Sequence, residues 1–236
     1  MESERSALLA LPDRRAATKP KRQPRASKRI TMRQACNMMA AVAYARESGT
    51  PLIGHATIHW AGTKVGDDPD GRLFAKVREG FDKWLTRHGV PGGLSAVWVR
   101  ERLSGGSAEV VHCHMLFHLP HPFIRGRRRV AVETALERLI DRHGDGNYLD
   151  CTLKLTFPSN PNGVYLLKGG GPDVWRRFGV PQLWRKPQGM IFGKRCGVTE
   201  NIGASARLLY RHGLGCDDQI AYRVKAKRRP LGFHQL

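Results

Sequence analysis

Residues 111–119 read VHCHMLFHL, and this alternation constrains the fold more than any other stretch of the chain. On a strand, successive side chains point to opposite faces of the sheet. Val111, Cys113, Met115, Phe117 and Leu119 then share one apolar face, while His112, His114 and His118 share the other. A strand of this kind needs helices against one side and carries chemistry on the other. The preceding LSAVWVRER (94–102) and the turn signal Ser104-Gly105-Gly106-Ser107 make it the second arm of a β-hairpin.

The neighbouring segments extend the pattern. Residues 31–48 predict a helix ended by Gly49 and Pro51, and LIGHATIHW (52–60) predicts a strand. Asp68, Pro69 and Asp70 open a second helix through LFAKVREGFDKWLTRHG, with Gly89 as its stop. After the hairpin come a basic loop, IRGRRR, a helix over 130–144 and a strand over 150–157. A short helix follows from about Gly163. The order after the first helix is β-α-β-β-α-β, a split βαβ arrangement. The outer strands alternate as well: Cys151, Leu153, Leu155 and Phe157 oppose Thr152, Lys154 and Thr156. His55, Thr57 and His59 oppose Gly54, Ala56, Ile58 and Trp60. The expected fold is α+β: a ferredoxin-like βαββαβ antiparallel sheet with an open polar face, plus a C-terminal helical and basic extension. Residues 1–29 read as a basic disordered tail, 30–170 as the main domain and 171–236 as the basic C-terminal extension.

Composition narrows the partners. Forty Lys and Arg against twenty Asp and Glu give a formal charge of +20, which fits a polyanion, most simply nucleic acid. A ribosomal or anionic-membrane partner would satisfy the same charge. A hydrophobic fraction of 41% supports a packed core and excludes a wholly disordered chain. The longest nearly apolar run, NMMAAVAYA, is far too short to span a membrane. MESERSALLALPDRR places acids before a very short apolar stretch and does not read as a secretory signal. Cysteines number five, with no C-x-x-C, so a reducing cytosol is expected rather than a disulfide framework.

Two side-chain sets carry chemistry. His112 and His114, at i and i+2, project their imidazoles the same way and can share a divalent ion. Glu101 is the best third ligand. With Gly105-Gly106 centring the hairpin, it pairs with Val110 and lies diagonal to His112 on the same face. A one-residue slip would send it to the other side. Glu109 has the wrong parity. Taken alone, an H-x-H is more often a pair of polar side chains on a wet sheet face. A structural zinc site is disfavoured, because Cys113 points away and no paired-cysteine spacing exists. The second set is Tyr165 and Lys168, three apart in NGVYLLKGG, with Asn162 available to cap. A phenol is a poor nucleophile by itself; a nearby cation and a metal-polarised phosphate would activate it. Tyr148, Tyr210 and Tyr222 are weaker alternatives, and an isolated Y-x-x-K is common by chance.

These residues, in this order, resemble the HUH endonuclease superfamily, specifically the single-tyrosine rolling-circle replication initiators of plasmids and phages. The likeness covers roughly residues 50–170: a first-motif strand LIGHATIHW, the His-hydrophobe-His strand followed by Pro120, and the Tyr165/Lys168 motif. The first motif departs from the family in carrying histidines where an aromatic-threonine pattern is common. The resemblance implies that His112, His114 and, less securely, Glu101 hold Mg²⁺ or Mn²⁺. It implies that Tyr165 attacks a phosphodiester of single-stranded DNA, with Lys168 assisting. Arg125, Arg127, Arg128, Arg129, Arg176, Arg177, Arg185 and Lys186 would then track the DNA backbone, with Lys154 on the polar sheet face. Trp175 and Trp184 would either stack on bases or sit in the core, the latter slightly favoured. The partners implied are single-stranded DNA or an origin hairpin and, since no Walker A motif is present, a host helicase in the bacterial cytoplasm.

Two other classes compete. An RRM-like nucleic-acid-binding module shares the strand order but needs aromatics on the open face, where this sequence places His, Thr and Lys. An HUH transposase or relaxase shares the chemistry. Relaxases usually carry the tyrosine ahead of the histidines, and the small transposases are usually shorter and often lack such basic tails.

Overall fold

A computed structural model describes residues 25–102, 110–146, 152–158, 163–185 and 188–211. The hairpin strands β3 (Ala96–Arg102) and β4 (Val111–His118) pair antiparallel, with Glu101 directly opposite His112. The sequence had set Glu101 against Val110. The last pair among the described residues is Arg102 with Val111. The register therefore moves by two residues, and a displacement of two keeps every side chain on its expected face.

Strand β2 (Leu52–His59) flanks β4 on its other side and pairs outward with β5 (Leu153–Thr156). A short strand, β7 (Cys196–Val198), adds to the free edge of β3, completing a five-stranded antiparallel sheet in the order β5-β2-β4-β3-β7. The chain is α+β. Its helices are α1 (Met32–Glu47), α2 (Arg72–Arg87), α3 (Gly126–His143), α4 (Pro172–Phe178) and α5 (Ala204–Arg211). A separate two-stranded ribbon joins β1 (Ala26–Ser27) to β6 (Ile191–Phe192). Buried Arg100 and Arg195 hold that ribbon to the sheet through backbone carbonyls: Arg100 Nη1 donates to Phe192 O (2.9 Å) and Arg195 Nη2 to Ser27 O (2.6 Å).

Local chemistry sets the helix ends. Thr31 and Gln34 form a capping box at the start of α1. Buried Asp68 accepts from the free backbone N–H groups of Leu73 (3.1 Å) and Phe74 (2.9 Å), the cap that the Asp-Pro-Asp signal foretold. Gly71 stands between them at φ +81°, where a Cβ would run into the Arg100 guanidinium.

Helices α2 and α3 cover the apolar face of the sheet. Phe74, Phe81, Leu136 and Ile140 meet Ile58, Trp98, Cys113, Met115 and Phe117 in the main core. Burying side chains of this size contributes roughly 2–3 kcal/mol each. The other face is not simply open and polar, as the sequence suggested. Val97 and Val99 of β3, Leu116 of β4 and Cys196 of β7 form an apolar half. Helix α1 lies on that half with Ala35, Met38, Ala41 and Tyr44, joined by Leu166, Leu167 and Val174. The segment after Gly170, expected as an extension, thus builds a second core and an edge strand. Only the half formed by β2, β5, the first residues of β4 and Glu101 near the end of β3 keeps its polar lining.

Two local expectations change. The basic loop IRGRRR is largely the first turn of α3, which begins at Gly126 rather than residue 130. Tyr165 lies on a 3₁₀ turn, Gly163–Leu167, rather than an α-helix. The Ser104–Ser107 turn, Cys151, Asn162, Lys186 and the alternative residues Tyr148 and Tyr222 lie outside the described residues.

Candidate metal centre

The strand pairing assembles the centre. Glu101 faces His112 across the hairpin, and His114 stands two residues along on the same face. Their ligand atoms all lie within 4.8 Å of one another, and all three residues are buried. Glu101 Oε2 is 3.2 Å from His112 Nε2 and 3.4 Å from His114 Nε2. Glu101 is 0% exposed, and its other oxygen, Oε1, meets no hydrogen-bond donor among the described residues. A buried carboxylate oxygen without a donor is costly, and a bound cation would relieve it. Two imidazoles and a carboxylate are a donor set suited to a divalent transition ion. The residues therefore fit a divalent metal ion.

The other elements bring the remaining groups. Thr57 lies opposite His114 in β2, and its Oγ1 is 2.9 Å from His114 Nδ1. The 3₁₀ turn carries Tyr165, and the Lys168 N–H donates back to Tyr165 O (3.3 Å). A three-residue turn places i and i+3 one above the other. Lys168 Nζ accordingly reaches Tyr165 Oη (2.9 Å), His114 Nε2 (2.9 Å) and Glu101 Oε2 (2.8 Å). An ammonium only donates, so His114 Nε2 is the acceptor and the ring proton sits on Nδ1, donated to Thr57. That tautomer aims the Nε2 lone pair into the centre.

A cavity of about 400 Å³ opens over these groups, lined by His55, Thr57, His59, His112, His114, Lys154, Thr156, Tyr165 and Lys168. The Tyr165 ring stands edge-on to His114 (5.3 Å), His55 (5.7 Å) and Trp184 (5.5 Å). His59 stacks on His112 at 5.3 Å.

Electrostatics keep the ligands in binding form. Burial, reinforced by the Lys168 charge, lowers His114 to about 4 against the pull of Glu101. Burial, with Lys168 and Lys154 nearby, also brings His55 to about 4. Burial pushes the Glu101 carboxyl up, but the hydrogen bond from His112, the adjoining His114 ring and the charge of Lys168 outweigh it and hold the group well below the carboxylate range. At neutral pH the centre thus offers a carboxylate and a neutral His114, so an incoming cation need not displace their protons.

The structure brings Glu101, His112, His114, Tyr165, Lys168 and Lys154 into one place. The other predicted DNA contacts lie elsewhere. Arg125 flanks the start of α3 and Arg127, Arg128 and Arg129 fill its first turn, on the helix-covered side of the sheet. Arg128 lies over the Phe123 ring and Arg129 over Phe157, each just over 5 Å away (5.3 and 5.1 Å). Arg176 and Arg177 sit exposed in the last turn of α4. Arg185 donates to Val180 O (3.0 Å) and lies over Trp175. Trp175 and Trp184 pack against the second core, as slightly favoured, and Trp184 also buttresses Tyr165. Tyr210 packs edge-on against Tyr44 of α1 and does not line the cavity. Residue parity had placed His55, Thr57 and His59 on the correct face without giving them a role.

Comparison of the chain with protein-family models, curated proteins and solved structures finds no match.

Proposed function

We propose that the chain is a metal-dependent endonuclease and strand transferase that nicks and rejoins single-stranded DNA through a 5′-phosphotyrosine, initiating rolling-circle replication. The observation that carries this reading is the convergence of a phenol, an ammonium and a Glu-His-His set at one site: Tyr165 Oη and Glu101 Oε2 both lie within 3 Å of the same Lys168 nitrogen, at 2.9 and 2.8 Å. The order of the four main strands, β5-β2-β4-β3, supports a ferredoxin-like frame of the HUH kind.

Glu101, His112 and His114 would hold Mg²⁺ or Mn²⁺, which when bound polarises the non-bridging oxygens of the scissile phosphate. The Tyr165 oxygen attacks phosphorus in line with the departing 3′-oxygen. One P–O bond forms and one breaks, the phenol proton leaves to solvent, and the 3′-oxygen takes up a proton to become a hydroxyl. Lys168, donating to Tyr165 Oη, stabilises the developing phenolate. The new phosphoester resembles the old one in energy, so a 3′-hydroxyl can later reverse the step and rejoin the strand. Lys154, exposed at the cavity edge opposite Thr57, supplies a cation for the DNA backbone. A host helicase would open the duplex beyond the nick.

A base-stacking RRM-like module fits less well. Beneath the cavity lies a buried acid with its cationic and imidazole neighbours, which burial makes expensive and which stacking does not require.

The test is a denaturing gel with a labelled pool of single-stranded DNA, with and without Mn²⁺. The reading predicts a metal-dependent covalent adduct, lost in Tyr165→Phe and in His114→Ala. No adduct from folded protein that still binds DNA overturns it in favour of the binding module.

A further inference from the structure

A second cavity lies on the far side of the sheet from the metal centre. It is a groove of about 1050 Å³ between α2 and α3. The two helices approach closely at Gly80, where a Cβ would strike the Leu139 side chain. Its rims are cationic. Helix α2 contributes Lys76, Lys83 and Arg87, and α3 contributes Arg127, Arg138 and Arg142. All six are exposed. The spacings i, i+7, i+11 and i, i+11, i+15 keep each set on one helical side, along runs of roughly 16 and 22 Å at 1.5 Å per residue. Glu79 is the acid in the lining, and its carboxylate is bound to Lys83 at 2.7 Å.

From this we infer a second nucleic-acid surface: the α2–α3 groove binds the phosphate backbone of double-stranded DNA. The two rows set six cations along a length over which a duplex, at about one phosphate per 1.7 Å, presents roughly a dozen phosphates. A single strand is less suited, because single-strand grooves offer aromatic faces for stacking. Here Trp84, the one aromatic of the α2 rim besides His88, already has His88 stacked on it at 4.0 Å and Phe81 on it at 6.0 Å. The groove and the metal centre lie on opposite faces of one sheet, so duplex and single strand would be held at once. The inference needs only the groove, and it stands whether or not Tyr165 is a nucleophile.

The test uses the full chain and fluorescence anisotropy with a labelled 20-base-pair duplex across a series of NaCl concentrations. The variant is Lys83→Gln/Arg138→Gln/Arg142→Gln. A control of equal charge change, Lys28→Gln/Arg33→Gln/Arg46→Gln, neutralises exposed cations on the other side. The groove variant should lose duplex affinity at least tenfold at physiological salt. Its log–log salt slope should flatten by about 0.9 for each contact removed. Its circular dichroism and its Mn²⁺ affinity should match those of the unaltered chain. Equal losses in both variants would mean that net charge, not the groove, binds the duplex. Unchanged duplex binding, or loss confined to a 20-nucleotide single strand, would equally overturn the assignment.

Discussion

Lys168 Nζ lies 2.8 Å from Glu101 Oε2, and both side chains are buried. The ammonium balances the acid, while its other contacts run to His114 and Tyr165. One lysine therefore links the carboxylate of the metal set to the phenol. Replacing Lys168 with Met leaves a buried carboxylate without its main charge partner, a change that costs roughly 3 kcal/mol or more. The metal-free variant should melt lower than the wild type. Added Mn²⁺ should raise its melting temperature by more than it raises the wild type's, since the cation then supplies the missing charge. Thermal unfolding with and without Mn²⁺ checks this, and an equal rise in both proteins would count against it.

Glu101→Gln keeps the shape of the side chain and removes its charge. The account predicts at least a tenfold loss of Mn²⁺ affinity, about 1.4 kcal/mol, by isothermal titration calorimetry. The folded secondary structure should be retained.

Thr57→Val removes the acceptor that fixes the His114 ring proton on Nδ1. Partners of this kind orient a ligand, and their loss typically lowers metal affinity about 10- to 100-fold. Calorimetry should show this drop, whereas the melting temperature in EDTA should change little. A large fall in stability with unchanged affinity would make Thr57 a packing residue only.

Acid should destabilise the metal-free protein in a defined window. Folding lowers His114 and His55 from about 6.5 to about 4, so the unfolded chain binds more protons between those values. No penalty exists above pH 6.5; it grows as the pH falls and is complete below about 4. For His114 alone it amounts to about 3 kcal/mol, at 1.36 kcal/mol per pH unit. Glu101 acts in the same direction. Its lowered carboxyl stabilises the fold above the ordinary carboxylate range, and that contribution is lost only as the pH drops further. Urea midpoints at pH 7.5, 5.5 and 4.5 should fall monotonically, and His114→Asn should flatten the first part of the curve.

Gly54 shows how the β2–β4 pairing constrains the strand. A Cβ there would meet the Phe117 ring at 2.6 Å, in the fully buried main core. Gly54→Ala should therefore destabilise by roughly 1–3 kcal/mol through overpacking, measured by the urea midpoint.

What the sequence made legible was parity. Alternation in VHCHMLFHL placed His112 and His114 together, and the two-residue difference in hairpin register left Glu101 on their side. The spacing of Tyr165 and Lys168 gave their common direction, because i and i+3 converge in a 3₁₀ turn as they do in a helix. The second core was not legible. Val97, Val99 and Leu116 share the histidine face, and only tertiary contact with α1 shows that they are covered. The basic run at Arg125–Arg129 read as a loop because Gly126 sits inside it, yet the helix begins there. The ring proton of His114 was likewise out of reach, since it depends on Thr57 and Lys168 from two distant segments.

The most direct test of the central claim is to identify the atom that takes the DNA. The protein would be incubated with Mn²⁺ and single-stranded DNA, digested with protease and nuclease, and the nucleotide-bearing peptide sequenced by mass spectrometry. The account predicts a 5′-nucleotide on the peptide carrying Tyr165. A nucleotide on Tyr210 or any other residue, or none from protein that binds both Mn²⁺ and DNA, would contradict it.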